Sequence, residues 1–370
     1  MVAEMAAFAF LLPASLIAAY YFALTLVGLF QAGGHRPPVK RSQGDDVPPL
    51  LQHSFAILIP AHNEESLLPR CLRSIPYSPN IRMIVVADNC TDATANIASN
   101  IGAVCVVRND RTRIGKGYAL AYGLPTAFST RPDAILILDA DCELAPDTLA
   151  AFDAALARGQ QVIQAPLIVR IHNAGDSAYV AAVGAEIDHA VLRGSHRLGG
   201  SVPLRGTGML FRRDVLETHP WSMHGLAEDA EFSAVLRRAG IRVNLLESGA
   251  ILSEAPTKSS DLLQQRRRWR AALRVPGLGW ASKFVTSKPL ILGHLAITAT
   301  LVLALPVSGW MLGWLIGIVA ATACVYLRAM LKVGLRWPGL GSAFLVARLA
   351  GVAIAGFWKR EATWQRTSRE

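Results

Sequence analysis

Acidic side chains follow three apolar runs of the chain, each at the point where the run ends. Glu64 lies just beyond the first run, Asp88 ends the second, and Asp139 and Asp141 follow the run 134–138. Two carboxylates with one residue between them suit Mg²⁺ or Mn²⁺ bridging a diphosphate, because these ions prefer hard oxygen ligands. Acidic groups gathered at one sheet edge would repel one another unless a cation or a donor-rich ligand lay between them. We therefore predict a site for a divalent metal and a phosphorylated ligand.

A second carboxylate pair and a basic aromatic segment lie further along the chain. Glu228 and Asp229 begin a helical pattern, where acidic residues either favour the helix dipole or supply a general base to a cleft. Gln265, Arg268 and Trp269 form a Gln-x-x-Arg-Trp arrangement just before a long apolar block. The arginine can pair with a diphosphate and the indole can cover a ring face. Basic residues beside an apolar block also fit a membrane flank, so both interpretations of each segment stay open.

Short apolar runs alternate with helical patterns between residues 51 and 249. Unbroken apolar strands that alternate with helices indicate a parallel sheet covered on both faces. In such sheets ligands bind beyond the carboxyl ends of the strands, which is where the acidic residues lie. We therefore predict an α/β fold, a Rossmann-like and mostly parallel sheet with helices on both faces. The predicted strands are 55–59, 83–87, 104–107, 134–138 and 162–163, and the predicted helices are 64–75, a segment after 92, 117–128 and 146–156.

The composition of the chain indicates a membrane protein that carries one folded domain. Of its 370 residues 52% are hydrophobic and 17% are charged, against about 25% charged residues in an average soluble domain. This composition excludes a disordered chain, a coiled coil and an ordinary cytosolic enzyme. The five cysteines are scattered without a paired spacing. We therefore expect reduced thiols, and neither a disulfide framework nor a zinc site.

Apolar blocks near both ends of the chain predict a multi-pass protein of the cytoplasmic membrane. The uncharged stretch after Glu4 is longer than the apolar region of a signal peptide and lacks a basic segment before it, so we predict an anchor. Basic clusters flank these blocks on the side of residues 32–288, which the positive-inside rule places in the cytoplasm. The formal charge of +10 then faces anionic lipid, and we expect no nucleic-acid partner. The predicted order is a transmembrane helix at 1–31, a linker at 32–50, a cytosolic domain at 51–257, gating or interfacial helices at 258–288, a transmembrane hairpin at 289–327, and an interfacial helix with a basic tail at 328–370.

Seven short motifs occur in the order in which one enzyme family has them. Together they resemble family-2 inverting glycosyltransferases of the membrane-embedded branch, which includes cellulose and hyaluronan synthases. The resemblance covers nearly the whole soluble region and implies a GT-A fold. Ala87-Asp88-Asn89-Cys90 stands where relatives often have Asp-Asp-Gly-Ser, which weakens any inference about the donor. The motifs are Pro60-Ala-His-Asn-Glu64, Ala87-Asp-Asn-Cys-Thr-Asp92, Gly115-Lys-Gly117, Asp139-Ala-Asp141, Gly206-Thr-Gly208, Ala227-Glu-Asp229 and Gln265-Arg-Arg-Arg-Trp269.

The resemblance also implies a role for each matched residue. Asp229 would be the general base, and Asp141 would bind a divalent metal, Mg²⁺ or Mn²⁺, together with Asp139. The residues that bind the donor would be Pro60, His62, Glu64, Asp88, Lys116, Asp139, Gln265, Arg268 and Trp269. The residues at the acceptor would be Gly206, Thr207, Gly208, Glu228 and Trp269.

These expectations describe a membrane enzyme that moves one sugar from a nucleotide-diphosphate sugar to a lipid-linked saccharide. A UDP-sugar is favoured over a GDP-sugar, the expected carrier is a polyprenyl diphosphate, and the expected context is surface or exopolysaccharide assembly. Three spans are few for a polymer channel, which disfavours a processive synthase. A transporter would place charges inside its spans, and a non-catalytic scaffold would not need the acidic residues. A nucleotidyltransferase would leave the Gln-x-x-Arg-Trp segment unexplained.

Overall fold

The computed structural model of the protein describes residues 2–30, 51–171, 175–255, 258–269, 298–299, 302–303, 308–335, 345–346 and 348–349. The predicted linker, the segment 270–288, nearly all of 289–306 and the basic tail therefore lie outside the described residues. The strands are β1 (Phe55–Ala61), β2 (Ile81–Asp88), β3 (Val104–Arg108), β4 (Ala134–Ile137), β5 (Cys142–Leu144), β6 (Val162–Gln164), β7 (Leu167–Arg170), β8 (Met209–Arg212), β9 (Val243–Leu245) and β10 (Ile251–Glu254). The helices are α1 (Val2–Phe30), α2 (Leu68–Arg73), α3 (Thr94–Asn100), α4 (Lys116–Ser129), α5 (Thr148–Ala157), α6 (Asp176–Arg197), α7 (Arg213–Thr218), α8 (Glu228–Arg238), α9 (Ser259–Trp269) and α10 (Gly309–Val333).

Seven strands form the central sheet in the order β3-β2-β1-β4-β8-β6-β9. Strand β8 runs antiparallel to both of its neighbours, and the other pairs in the sheet are parallel. This confirms the prediction of an α/β fold with a mostly parallel sheet, and the strand predicted at 162–163 is β6. Because β8 is reversed, its first residue, Met209, pairs with Ile137 at the end of β4. The segment 206–208 is thereby placed next to Asp139.

Both faces of the central sheet are buried, as the unbroken apolar strands predict. Along β1, Ala56 and Leu58 belong to one buried cluster, whereas Ile57 and Ile59 belong to another. This alternation follows from the pleat of a strand, which directs successive side chains to opposite faces. Helix α4 packs in the first cluster, and α2 and α5 pack in the second. The prediction of helices on both faces is therefore confirmed.

Helices α1 and α10 are long and apolar enough to cross a membrane. Helix α1 occupies most of the segment 1–31, which the sequence analysis predicts to be an anchor, and its role as an anchor stays a prediction. Helix α10 continues to Val333, beyond residue 327 where the predicted hairpin ends. Within this continuation Arg328 donates to Glu186 of α6 at 3.0 Å. Because Glu186 neutralises the charge of Arg328, the apolar helix can continue past this arginine.

Helix α6 joins the domain to the two apolar helices, and the sequence analysis assigns it no element. It packs against α1, where small residues allow a close approach. A Cβ on Gly194 would overlap the backbone of Leu24, and a Cβ on Gly28 would lie 2.9 Å from the carbonyl oxygen of Ala190. Arg197 donates to the carbonyl oxygen of Gly28 at 2.6 Å, which satisfies an acceptor in the last turn of α1.

Candidate active site

A cavity of about 330 Å³ opens at the carboxyl ends of β1, β2 and β4. A cleft in this position is typical of ligand sites in open α/β sheets. Three expected residues are not among those that line the cavity. Gly208 packs against Ile251 and Ala165. Arg268 and Trp269 end α9, and their side chains lie outside the described part of the chain. The cavity is lined by most of the residues expected from the sequence, namely Pro60, His62, Glu64, Asp88, Lys116, Asp139, Asp141, Gly206, Thr207, Glu228, Asp229 and Gln265.

Asp88 is held at one end of the cavity by an arginine that the sequence analysis does not identify. Its carboxylate accepts hydrogen bonds from Arg108 at 2.6 Å and from Asn89 at 3.0 Å. His62 donates from Nδ1 to the carbonyl oxygen of Asp88 at 2.7 Å, which fixes the orientation of its ring. Burial raises the pKa of Asp88, although the Arg108 hydrogen bond opposes this effect. The repulsion expected among the acidic strand ends is thus relieved here by Arg108, the register partner of Asp88 on β3.

Asp139 and Asp141 form the part of the cavity that suits a metal ion. A carboxylate oxygen of each and Sγ of the buried Cys142 all lie within 4.8 Å of one another. The thiol of Cys142 contacts Oδ1 of Asp141 at 3.3 Å. Two carboxylates facing a cavity are ligands that Mg²⁺ or Mn²⁺ accepts, with open positions left for a diphosphate. The donor set of the described residues therefore fits the predicted divalent ion.

Lys116 places a fixed positive charge among the carboxylates of the cavity. It begins α4, and its Nζ donates to Asp139 and, at 2.7 Å, to the carbonyl oxygen of Gly206. Burial by itself would lower the pKa of Lys116, but Asp139, Glu228 and Asp229 outweigh it and raise the pKa. Lys116 therefore remains a cation at neutral pH and links Asp139 to the 206–208 segment.

The segment Gly206–Gly208 is fixed by a buried glutamine that no sequence motif marks. Gln164 is 1% exposed; its Nε2 donates to the carbonyl oxygen of Thr207 at 2.8 Å, and its Oε1 accepts from the amide of Arg205 at 2.9 Å. The hydroxyl of Thr207 in turn accepts from the amide of Asp139 at 3.0 Å. Both glycines have positive φ, and a Cβ on Gly208 would overlap Ile251. The glycines are therefore required by backbone conformation and close packing.

Glu228 and Asp229 form a buried carboxyl pair at the start of α8. The amide of Ala230 donates to Oδ1 of Asp229 at 2.8 Å, and acidic groups in a first helical turn are also favoured by the helix dipole. Burial and the charge of Asp229 raise the pKa of Glu228 to about 7, against the opposing effect of Lys116. Burial also raises the pKa of Asp229, which Ala230, Lys116 and Arg205 counteract. Glu228 therefore holds a proton below about pH 7, and the ionised form of Asp229 can accept one.

This pair predicts a pH dependence of turnover. Activity should fall at acidic pH, because burial raises the pKa of Asp229 and a protonated Asp229 cannot accept the acceptor's proton. Glu228→Gln removes a negative charge beside Asp229, which lowers the pKa of the base and moves the acidic limb to lower pH. The measurement is kcat/KM for the donor across about pH 5 to 9 in both proteins. An acidic limb that keeps its position in the variant would contradict the assignment.

A third part of the cavity adjoins α6 and contains residues that the sequence analysis misses. Asp188 and His189 of α6 line it together with Arg205 and Arg266. Arg205 donates to Asp188 at 3.2 Å. No local pattern marks Asp188, His189 or Arg205, and Arg266 lies inside the Gln265–Trp269 motif without an assigned role. The four residues come from three separate segments and meet only in the folded chain.

Comparison with known proteins agrees with the fold. The family model described as Glycosyltransferase like family 2 matches residues 52–272. The chain is 41% identical over 96 residues to 4,4'-diaponeurosporenoate glycosyltransferase of Staphylococcus haemolyticus, which covers 25% of each protein. It is 24% identical over 247 residues to the probable glycosyltransferase YdaM of Bacillus subtilis, which covers 63% of this chain and 58% of that one. The chain therefore spans between a quarter and three fifths of the length of these two relatives.

A solved structure shows the same fold. The mannosyltransferase of Pyrobaculum calidifontis, determined with GDP-mannose and Mn²⁺, superimposes with a TM-score of 0.58 at 18% identity and covers 95% of this chain and 100% of that one. At this identity the likeness shows the fold, which is of the GT-A type. The family model covers more than half of the chain, and its range includes every motif residue that lines the cavity. The chain therefore belongs to Glycosyltransferase like family 2.

Proposed function

We propose that this protein is a membrane-bound, inverting glycosyltransferase that moves one sugar from a nucleotide-diphosphate sugar to a lipid-linked saccharide. The observation that carries the proposal is one cavity that holds both a metal-binding carboxylate pair and a separate buried carboxyl pair. The first pair suits a diphosphate, and the second suits a general base. A polymer-extruding synthase and a non-catalytic scaffold or transporter remain the alternatives that the experiments below distinguish.

The donor is proposed to lie along the edge formed by β1, β2 and β4. Its nucleoside would contact the segment Pro60–Glu64 and Asp88, and its diphosphate would lie beside Asp139 and Asp141. When bound there, a divalent ion would supply positive charge that stabilises the departing diphosphate. Gln265, Arg268 and Trp269 are proposed to cover the donor from α9.

The reaction is proposed to be a single displacement. Asp229 takes the proton of the acceptor hydroxyl while its oxygen forms a bond to the anomeric carbon. The bond from that carbon to the diphosphate oxygen breaks, and the nucleotide diphosphate leaves with the electron pair. Lys116 keeps a positive charge beside Asp139, which opposes the build-up of negative charge at this end of the cavity. One displacement inverts the anomeric configuration.

The acceptor is proposed to approach from the membrane. Helices α1 and α10 would span the bilayer, and α6 connects both of them to the wall of the cavity. Gly206 allows close approach next to the base, since a Cβ there would lie 3.6 Å from Oδ2 of Asp229. An acceptor hydroxyl at this place would reach the base while its lipid extended toward α6.

The experiment that tests this function measures nucleotide diphosphate release by the purified full chain in lipid. UDP- and GDP-sugars are each supplied with Mn²⁺, Mg²⁺ or EDTA, because the related structure of the mannosyltransferase contains GDP-mannose while we propose a UDP-sugar here. We expect release from one donor, dependent on metal and increased by polyprenyl-linked acceptor. If neither the wild type nor an Asp139→Asn variant released nucleotide diphosphate from any of these donors, a scaffold or a transporter would be favoured.

A further inference from the structure

Helix α9 has few apolar side chains with which to pack against the rest of the domain. Of its eleven residues, Leu262, Leu263 and Trp269 are apolar. Leu262 and Leu263 are buried in one small cluster, and the hydroxyl of Ser259 lies 2.9 Å from that of Ser177 on α6. A helix this short and polar depends on the packing of its apolar face. The partners of Leu262 and Leu263 therefore determine how firmly α9 is held.

The largest buried partners of these two leucines come from the C-terminal part of the chain. The same cluster contains Leu345 and Leu349, which are 3% and 5% exposed. The other buried members among the described residues are alanines, namely Ala178, Ala181 and Ala255. An alanine side chain ends at Cβ and offers little apolar surface, so Leu345 and Leu349 supply most of the buried apolar surface that α9 packs against in this cluster.

Leu345 and Leu349 lie on one face of a helical segment. The described residues 345–346 and 348–349 are helical, and side chains four residues apart share a helix face. Arg348, which lies between the two leucines in the sequence, is exposed. Buried leucines on one face and an exposed arginine on another form an amphipathic pattern. At these two positions the apolar face of the segment is directed to α9 and α6.

The cluster lies directly behind the wall of the cavity. Ala181 of α6 belongs to the cluster and also lines the cavity, as does Val169 of β7, which packs against the cluster. Gln265 and Arg266 of α9 line the cavity as well. They follow Leu263 within one helical turn, so the positions of their side chains depend on how α9 is docked.

We propose that Leu345 and Leu349 are positioning residues, which hold α9 against α6 and thereby keep Gln265 and Arg266 at the cavity. The consequence for donor binding rests on the proposed function, in which α9 covers the donor. Neither leucine is among the described residues that line the cavity, so both act on the donor through α9. Their substitution should therefore weaken donor binding although no side chain at the cavity is changed.

The alternative is that the two leucines stabilise the domain as a whole. The clusters on the two faces of the central sheet consist of other buried residues, and in the described part of the chain neither of them shares a buried residue with the cluster of Leu345 and Leu349. Regions of a protein that are packed separately can open separately. We therefore expect the loss of these leucines to release α9 while the central sheet stays folded.

The double variant Leu345→Ala with Leu349→Ala tests the proposal in the full chain in phosphatidylcholine nanodiscs. Amide hydrogen exchange is measured without nucleotide, and calorimetric titration measures the binding of UDP and of GDP with Mn²⁺. We expect the amides of α9 to exchange at least about tenfold faster while those of α4 keep their rates, and the nucleotide that the wild type prefers to bind about tenfold more weakly. The variant Leu345→Met with Leu349→Met should retain both properties within about twofold, because it conserves side-chain volume.

Leu331→Ala with Leu335→Ala is the matched control, because these leucines have the same spacing and are 62% and 67% exposed. It should match the wild type in exchange and in nucleotide binding. Unchanged exchange of α9 in the first double variant, faster exchange throughout the domain, or release of α9 with nucleotide binding intact would overturn the proposal. A wild type that bound neither nucleotide would refute the proposed function alone, because the exchange of α9 would still show whether the two leucines hold it.

Discussion

Asp229→Asn is expected to reduce kcat by about 10³-fold while donor affinity stays within about twofold of the wild type. The amide keeps the shape of the carboxylate and cannot take the proton of the acceptor hydroxyl. Lys116 retains its contacts with Asp139 and Gly206 in the variant, so the donor end of the cavity keeps its charge. Turnover is measured as nucleotide diphosphate release with saturating acceptor, and donor affinity by calorimetric titration.

Glu231→Gln is the control for this variant, because Glu231 lies in the same first turn of α8 but does not line the cavity. It should keep kcat within a few-fold of the wild type, because it changes only a nearby charge. Near-normal turnover of Asp229→Asn would remove Asp229 as the base. Loss of donor binding in step with kcat would instead indicate that the residue holds the donor.

Asp141→Asn is expected to abolish most of the metal-dependent rate, by about 10²-fold or more at a fixed Mn²⁺ concentration. The neutral amide is a weaker ligand for a hard cation than a carboxylate. The concentration of Mn²⁺ that gives half of the maximal rate should rise, and added metal should restore part of the activity. The wild type should lose turnover in EDTA and regain it with Mn²⁺ or Mg²⁺.

Asp147→Asn provides the matched control for this metal-binding variant. Asp147 is exposed before α5 and has a left-handed backbone, with φ of 63°, that asparagine also adopts. The Mn²⁺ requirement of this control should equal that of the wild type. An Asp141→Asn enzyme with an unchanged metal titration would show that the ion is held elsewhere or is not needed.

Periodicity and motif position predict the α/β domain well, because each parallel strand is a continuous apolar run. The alternation of Ala56 and Leu58 with Ile57 and Ile59 follows from two buried faces. The acidic residues at the strand ends line one cavity, as predicted, because the carboxyl ends of parallel strands lie at the same edge of a sheet. Their individual roles stay predictions.

The features of the site that the sequence does not predict depend on contacts between segments that are distant in the chain. Gln164 fixes the 206–208 segment from a strand that lies 41 to 43 residues before its hydrogen-bond partners, and nothing near it in the sequence marks this role. Arg108 balances Asp88 only because β2 and β3 pair in a particular register. The amphipathic pattern of α6 is obscured because one face contacts the cavity and the other contacts α1, so small and apolar residues occur on both.

The most direct test of a single-addition transfer follows a labelled sugar from the active donor. The full chain is placed in nanodiscs that contain a polyprenyl-diphosphate saccharide, and the label is traced between water, lipid and polymer. We predict that one labelled sugar enters the lipid fraction for each nucleotide diphosphate released, and that Asp229→Asn prevents both events. Label recovered as free sugar in water, or in a long polymer, would contradict a single transfer to a lipid-linked acceptor.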